Sequence, residues 1–219
     1  MKKGWTELVF ILDRSGSMSG LESDTIGGFN SLLEKQKQEP GEAIVTTVLF
    51  DDRYELLHDR INVRGIGPIT GRDYFVRGST ALLDAIGKTI TKMINVQRHT
   101  AAEEWAEHVL FVITTDGLEN ASREFSYKKV RQMIEQQKSL CGWEFIFLGA
   151  NIDAVATAEQ FGIARDRAVD YVADSAGTAL NYEVISDTVS CMRAESSVPT
   201  NWKERIEKDL AERRGKSQR

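Results

Sequence analysis

The sequence predicts an α/β fold in which helices cover both faces of a mostly parallel β-sheet. Short apolar runs recur along the chain, segments with helical spacing separate them, and one more polar run follows its predecessor after a very short turn. Runs that are apolar at every position are typical of strands buried on both faces. The alternation of such strands with helices is the pattern that builds a parallel sheet.

Six segments are predicted strands. Five are the apolar runs at residues 8–12, 44–50, 109–114, 145–148 and 168–172. The sixth, residues 54–63, alternates polar and apolar side chains and follows the second strand after the turn Asp51–Asp52–Arg53. Because so short a connection permits a hairpin but no crossover, we expect residues 54–63 to form an antiparallel strand at the edge of the sheet.

The segments between the strands have apolar residues at helical spacing. They predict helices over residues 24–38, 80–96, 126–138, 154–161 and 179–192. Near the end of the chain, Trp202, Ile206 and Leu210 recur every fourth residue among charged side chains, which predicts a further amphipathic helix that packs on its own domain. We therefore expect one domain over residues 1–195, followed by a helix and charged tail over 196–219.

The composition limits the classes of function. The 219 residues are 41% hydrophobic and 28% charged with a net charge of -5, which is typical of a soluble globular protein and disfavours a general binder of nucleic acid or anionic membranes. Glu7 interrupts the N-terminal stretch "MKKGWTELVFIL", which favours a core strand over a signal peptide. Cys141 and Cys191 match no metal-ligand spacing, so we expect reduced, buried thiols and a cytoplasmic protein.

Small oxygen-bearing side chains cluster where predicted strands end. Asp13, Ser15 and Ser17 follow the first strand, Asp116 follows the strand at 109–114, and Thr80 lies at the start of a helix. Ligands of open α/β sheets bind outside the carboxyl ends of the strands, so we expect these residues to meet there. An all-oxygen set with two carboxylates suits a hard divalent cation such as Mg²⁺. Neutral hydroxyl ligands would leave that cation able to attract an external carboxylate.

This arrangement resembles the metal-ion-dependent adhesion site (MIDAS) of von Willebrand factor A domains. The resemblance rests on Asp13-x-Ser15-x-Ser17, on Thr80 within "GST" and on Asp116 within "TTDG", and it covers nearly the whole chain. It implies that Ser15, Ser17 and Thr80 coordinate Mg²⁺, or Mn²⁺ or Ca²⁺ in its place, directly. Asp13 and Asp116 would act directly or through waters.

The resemblance also implies a topology and a subclass. The expected fold is a three-layer, Rossmann-like, doubly wound sheet of strand order 3-2-1-4-5-6, with strand 3 antiparallel at the edge. The segment "DRSGSMSG" resembles stand-alone bacterial members, including those of tellurium-resistance clusters, more than extracellular adhesion proteins.

An unidentified protein partner is the expected ligand, with its Asp or Glu completing the metal shell. Around the metal we expect a recognition rim, since arginine and tyrosine are frequent at interfaces. Its predicted members are Arg14, Tyr74, Arg77 and Glu119, with Arg72, Leu118 and Asn120 nearby.

Two other functions are open at this point. A phosphotransferase of the haloacid-dehalogenase type also has an aspartate after its first strand and uses Mg²⁺, but it needs a second aspartate where Ser15 stands. A structural scaffold with a vestigial site is the other alternative. Because no nucleophile or general base accompanies the five residues, we expect a binding module and no enzyme.

Overall fold

The computed structural model, which describes residues 1–217, has one six-stranded sheet between two helical layers. The strand order is β3-β2-β1-β4-β5-β6; every neighbouring pair is parallel except β2 and β3, which are antiparallel. The predicted order and the predicted edge hairpin are both confirmed. The strands are β1 (Lys2–Asp13), β2 (Glu42–Phe50), β3 (Tyr54–Asn62), β4 (Ala106–Thr115), β5 (Glu144–Ala150) and β6 (Ala168–Tyr171).

A helix is present in each segment where one was predicted, and α2 begins two residues after its predicted start. The fifth helix begins four residues before its predicted start, because Asp174 caps it and accepts a hydrogen bond from the backbone N–H of Gly177 at 2.8 Å. Ser126 caps the third helix as its position suggests. The helices are α1 (Glu22–Gln38), α2 (Leu82–Arg98), α3 (Tyr127–Cys141), α4 (Ala154–Gln160), α5 (Ser175–Glu195) and α6 (Glu204–Ser217).

The central strand β1 is buried on both faces, as its continuous apolar run predicts. Phe10 packs with α1 and α5 on one side of the sheet, and Val9 and Ile11 pack with α2 and α3 on the other. Because successive side chains of a strand point to opposite faces, one apolar run fills both cores. Packing on both faces of β1 therefore holds the end of this strand, where Asp13 lies, in place.

The C-terminal segment packs on the sheet. Trp202 and Ile206 belong to the core on the α1 and α5 side, and the indole N–H of Trp202 donates to the carbonyl of Asp166 at 2.8 Å. The Lys203 ammonium donates to the carbonyl of Ala168 in β6 at 3.0 Å. The division at residue 195 stays a prediction, and Gln218 and Arg219 of the predicted tail lie outside the described residues.

Both cysteines are free thiols, but the prediction that they are buried is wrong for Cys141, which is exposed, while Cys191 is half-buried. The reason is that the last buried residue of α3 is Gln137, so the final turn of that helix contributes nothing to the core. No helix within residues 1–217 is long and apolar enough to cross a membrane.

Candidate metal centre

The structure brings the five predicted metal ligands together at the carboxyl edge of the sheet, between β1 and β4. Asp13 is the last residue of β1, and Asp116 directly follows β4. Thr80 lies just before α2. The strand order reverses between these two strands, which is where open α/β sheets leave a crevice for ligands.

Three hydroxyl groups form a chain at this edge. The Ser15 and Ser17 Oγ atoms are 3.0 Å apart, and the Thr80 hydroxyl donates to Ser15 Oγ at 3.0 Å. The backbone after β4 approaches them closely, since a Cβ atom at Gly117 would lie 3.1 Å from Ser17 Oγ. Glycine at this position therefore keeps the Asp116 segment against the hydroxyls.

Asp13 is buried, and its hydrogen-bond donors are neutral. One carboxylate oxygen accepts from the Ser15 N–H at 2.7 Å. The other accepts from the Thr115 hydroxyl at 2.6 Å and from the Asp116 N–H at 3.3 Å. Burial raises the pKa of Asp13, and the hydrogen bonds from Ser15, Thr115 and Asp116 oppose the rise.

Asp116 is also buried and takes its hydrogen bond from an amide. The side-chain N–H of Asn151 donates to one of its oxygens. Asn151 directly follows β5 and has a φ of 55°, a left-handed conformation that asparagine adopts more readily than most residues. Burial raises the pKa of Asp116, the Asn151 hydrogen bond opposes this, and the charge of Asp13 raises it further.

This donor set is chemically suited to a divalent cation. Four of the five residues are buried and Ser17 is exposed, which leaves one open side. Among the side chains that the structure describes, no lysine, arginine or histidine forms an ion pair with Asp13 or Asp116. The centre has only two acids, and residues 1–217 hold no group of three or more His, Cys, Asp or Glu that could bind a metal. A cation here would rely on hydroxyl oxygens as well as carboxylates.

Glu119 and Asn120 hold the Asp116 segment against α2. The Asn120 side-chain oxygen accepts from the Thr80 N–H at 2.9 Å, and the Thr80 carbonyl accepts from the Asn120 N–H at 3.0 Å. The Glu119 carboxylate accepts from the Leu83 N–H at 2.9 Å in the first turn of α2, where a negative charge is favoured. Glu119 is therefore half-buried and anchored within the protein.

The predicted rim is wrong for Arg14 and Tyr74, since both side chains are fully buried. The Arg14 guanidinium pairs with Asp51 and Glu55, and the Tyr74 hydroxyl donates to the Asp13 carbonyl. Buried partners on other elements turn these polar groups inward. Arg77 is one-third exposed but also pairs with Asp51. The exposed hydrophobic side chains in the neighbouring loops are Phe75 and Leu118.

Sequence reasoning missed Thr115 and Asn151, which hydrogen-bond Asp13 and Asp116, and Asp51, which pairs with Arg14 and Arg77. Asn151 could have been found, because it directly follows a strand at the same sheet edge as Asp13 and Asp116. The roles of Thr115 and Asp51 depend on contacts between strands that are distant in sequence, for which the chain gives no local pattern.

No protein-family model and no curated protein matches the chain. Solved structures do match it, at low sequence identity. Proximal thread matrix protein 1 from the mussel byssus, in a structure with a zinc-occupied MIDAS motif, is 12% identical over 84% of this chain and 46% of its own, with a TM-score of 0.57. VWA2 from Sulfolobus acidocaldarius, an ArnB paralog, is 18% identical over 85% of this chain and 45% of its own, with a TM-score of 0.54.

The vWF domain of the type V pili tip protein Mfa5 from Porphyromonas gingivalis is 12% identical over 84% of this chain and 94% of its own, with a TM-score of 0.55. The chain thus spans about half the length of the mussel and Sulfolobus proteins. These likenesses do not bear on the tellurium-resistance subclass, which stays a prediction. The chain has the fold of von Willebrand factor A domains.

Proposed function

We propose that the chain is a metal-dependent protein-binding module. The observation that carries this proposal is the pair of buried carboxylates, Asp13 and Asp116, which have neutral hydrogen-bond donors and, among the described residues, no ion pair with a cationic side chain. A buried carboxylate is costly unless a cation compensates it. Since Ser17 is exposed, a cation bound among these residues would face solvent, where a partner could reach it.

The proposed cation is Mg²⁺, with Mn²⁺ or Ca²⁺ as substitutes. Ser15, Ser17 and Thr80 would hold it through their hydroxyls, and Asp13 and Asp116 would contribute carboxylate oxygens directly or through waters. Bound there, the cation would supply a coordination position for an anionic oxygen from outside the chain. The zinc-occupied MIDAS motif of the mussel protein supports the idea that this fold can hold a divalent cation at such a motif.

The proposed partner is a protein that supplies an Asp or Glu carboxylate. Leu118 is 64% exposed and Phe75 is 40% exposed, so apolar contacts beside the metal are available to it. Arg77 and Glu119 are the two members of the predicted rim with exposed surface. The proposed partners do not include nucleic acid or membranes. The proposed location is the cytoplasm, which agrees with the two free thiols.

We propose binding rather than catalysis because the two acids of the set are proposed metal ligands and the five residues include no histidine or cysteine. Two of the three histidines are engaged elsewhere, His58 with the Thr47 hydroxyl at 3.0 Å and His99 with the Asn95 carbonyl at 2.7 Å. Ser15 occupies the position where a phosphotransferase of the haloacid-dehalogenase type would need its acid–base aspartate, and a hydroxyl cannot shuttle that proton near neutral pH.

The test is affinity capture from lysate with the purified chain in Mg²⁺, in EDTA, and with Asp116→Asn in Mg²⁺. Asparagine keeps an oxygen for the Asn151 hydrogen bond and removes only the charge. We expect the partner to be captured by the wild-type chain in Mg²⁺ alone. Capture that survives both EDTA and Asp116→Asn would contradict the proposal. Hydrolysis of generic phosphate esters that Asp13→Asn abolishes would instead support the enzyme alternative.

A further inference from the structure

A partly buried ion cluster lies beside the metal centre, directly after β2. Asp51 has no exposed surface, and one of its carboxylate oxygens accepts from the Arg14 Nε at 2.9 Å and from the Arg77 Nε at 2.6 Å. Its other oxygen accepts from the Arg53 N–H at 2.7 Å. Glu55 accepts from the Arg14 Nη2 at 2.6 Å, so two acids face two arginines.

The two arginines belong to the two segments that carry the hydroxyl ligands. Arg14 stands between Asp13 and Ser15, and Arg77 lies three residues before Thr80. The Arg77 N–H donates to the Arg14 carbonyl at 2.9 Å, which ties the segments directly. Asp51 therefore bridges both segments through its side chain.

Backbone hydrogen bonds extend this bridge to both sides of the ligands. The Gly16 N–H donates to the Gly78 carbonyl at 3.2 Å. The Ala81 N–H, next to Thr80, donates to the Asp51 carbonyl at 2.8 Å. Several hydrogen bonds therefore connect the Ser15 segment to the Thr80 segment. Asp51 accepts from residues of both segments, through its side chain and its carbonyl.

The charge balance of the cluster makes Asp51 difficult to replace. Burial alone would raise the pKa of Asp51, but the hydrogen bonds from Arg77 and Arg53 and the charges of Arg14 and Arg77 outweigh it and lower the pKa. The Nη1 of Arg14 has no hydrogen-bond partner among the described residues, so this fully buried guanidinium depends on Asp51 and Glu55. The ring of Phe75 lies 5.4 Å from the Arg14 Cζ and 5.2 Å from the Arg77 Cζ and covers both.

We infer that Asp51 is a positioning residue of the metal centre, which holds the Ser15–Ser17 segment and the Thr80 segment in register although it contacts none of the five predicted ligands with its side chain. This inference rests on the proposed metal site. Without the Asp51 charge, Arg14 would turn toward water and pull on the backbone between Asp13 and Ser15. Residues behind metal ligands typically change affinity about 10- to 100-fold when they are replaced.

The test compares Asp51→Asn with Glu7→Gln by calorimetric titration with Mg²⁺. Glu7 is a matched control, because it is another buried acid paired with an arginine, Arg60 at 2.7 Å, and it lies far from the end of β1. We expect Asp51→Asn to weaken Mg²⁺ binding at least about 10-fold and Glu7→Gln to leave it unchanged. Equal affinity in Asp51→Asn and wild type, or equal losses in both variants, would overturn the inference.

If Asp51→Asn fails to fold, Arg77→Gln can be tested in its place. We expect this variant to fold, because Arg77 is one-third exposed and Asp51 keeps its ion pair with Arg14. We expect this variant to bind Mg²⁺ more weakly than wild type, and unchanged affinity would overturn the inference.

Amide hydrogen exchange in EDTA separates the inference from the proposed function. In Asp51→Asn, or in Arg77→Gln if the former does not fold, the amides of Gly16, Arg77 and Ala81 should exchange faster than in wild type, whereas Glu7→Gln should leave them unchanged. A wild-type chain that binds no divalent cation contradicts the proposed function. Unchanged exchange at these amides contradicts the positioning role, whatever the metal result.

Discussion

Glu7 and Asp13 are two buried acids on the same strand, and their surroundings differ in one respect. Glu7 lies in the first half of β1 and pairs with the Arg60 guanidinium at 2.7 Å. Asp13 ends the strand and takes hydrogen bonds from a hydroxyl and two backbone N–H groups. Burial raises the pKa of both side chains. The protein thus supplies a cation for one acid and none for the other.

This difference separates a structural acid from an acid that we propose binds the metal. Arg60 offsets part of the cost of the buried Glu7 charge within the fold, so that part of β1 requires no external cation. At the other end, Asp13 has a second acid, Asp116, beside it, and the charge of Asp13 raises the pKa of Asp116. An external divalent cation would compensate the charges of these two carboxylates. Each prediction changes either the Glu7 side or the Asp13 side of this comparison.

The largest expected effect comes from giving Asp13 a cation within the chain. Ser17→Lys adds an ammonium at the exposed member of the set, where it can neutralise the carboxylates and repel a metal. We expect Mg²⁺ affinity to fall by more than about 100-fold, beyond the range for replacing a residue behind a ligand. We also expect the thermal midpoint in EDTA to rise above that of wild type.

Ser19→Lys is the matched control for this change, since Ser19 is exposed in the same turn and adds the same charge two residues farther on. Calorimetry should show only a small loss of affinity for it. Equal losses in the two lysine variants would mean that general charge, and not occupation of the site, explains the effect.

The second prediction concerns the support of Asp116. Asn151→Gly removes the amide that holds this carboxylate and keeps the left-handed backbone, which glycine adopts without strain. We expect Mg²⁺ affinity to fall about 10-fold while stability in EDTA is retained. Calorimetry and thermal melting measure the two quantities, and loss of stability with unchanged affinity would show that Asn151 serves the fold alone.

The third and smallest prediction concerns pH at the structural end of β1. Burial raises the pKa of Glu7 above its ordinary value of 4.5, and Arg60 offsets only part of the rise. Ionising Glu7 therefore costs more in the folded than in the unfolded chain, so its contribution to stability is lost as the pH rises from below 4.5 through the raised pKa. Glu7→Gln lacks this titration.

Urea unfolding at about pH 4 and about pH 7 measures this effect. The free energy of unfolding of Glu7→Gln, taken relative to wild type, should be higher at the upper pH. The comparison removes contributions from other titrating groups, since both chains share them. The same pH dependence in the two chains would contradict the assignment of this cost to Glu7.

Local pattern was sufficient to predict the strands, the edge hairpin and the positions of Asp13, Thr80 and Asp116 at element ends. Apolar runs and turn lengths are properties of neighbouring residues, so they can be read without the tertiary structure. The burial of Arg14 and Tyr74 could not be predicted in this way. It depends on Asp51, which follows another strand, and on the Asp13 carbonyl, and only the folded chain brings these partners close.

The most direct test of the central claim is thermal melting of wild type and Asp116→Asn, each in EDTA and in Mg²⁺ at about 100 times the dissociation constant of wild type. Binding at that ratio should stabilise wild type by about 2.7 kcal/mol, or roughly 5–10 °C in a chain of this size. Asp116→Asn should be at least as stable as wild type in EDTA, because it loses an uncompensated buried charge, and should not respond to Mg²⁺. A wild-type midpoint that Mg²⁺ does not move, or an equal shift in both proteins, would contradict the claim that these acids await an external cation.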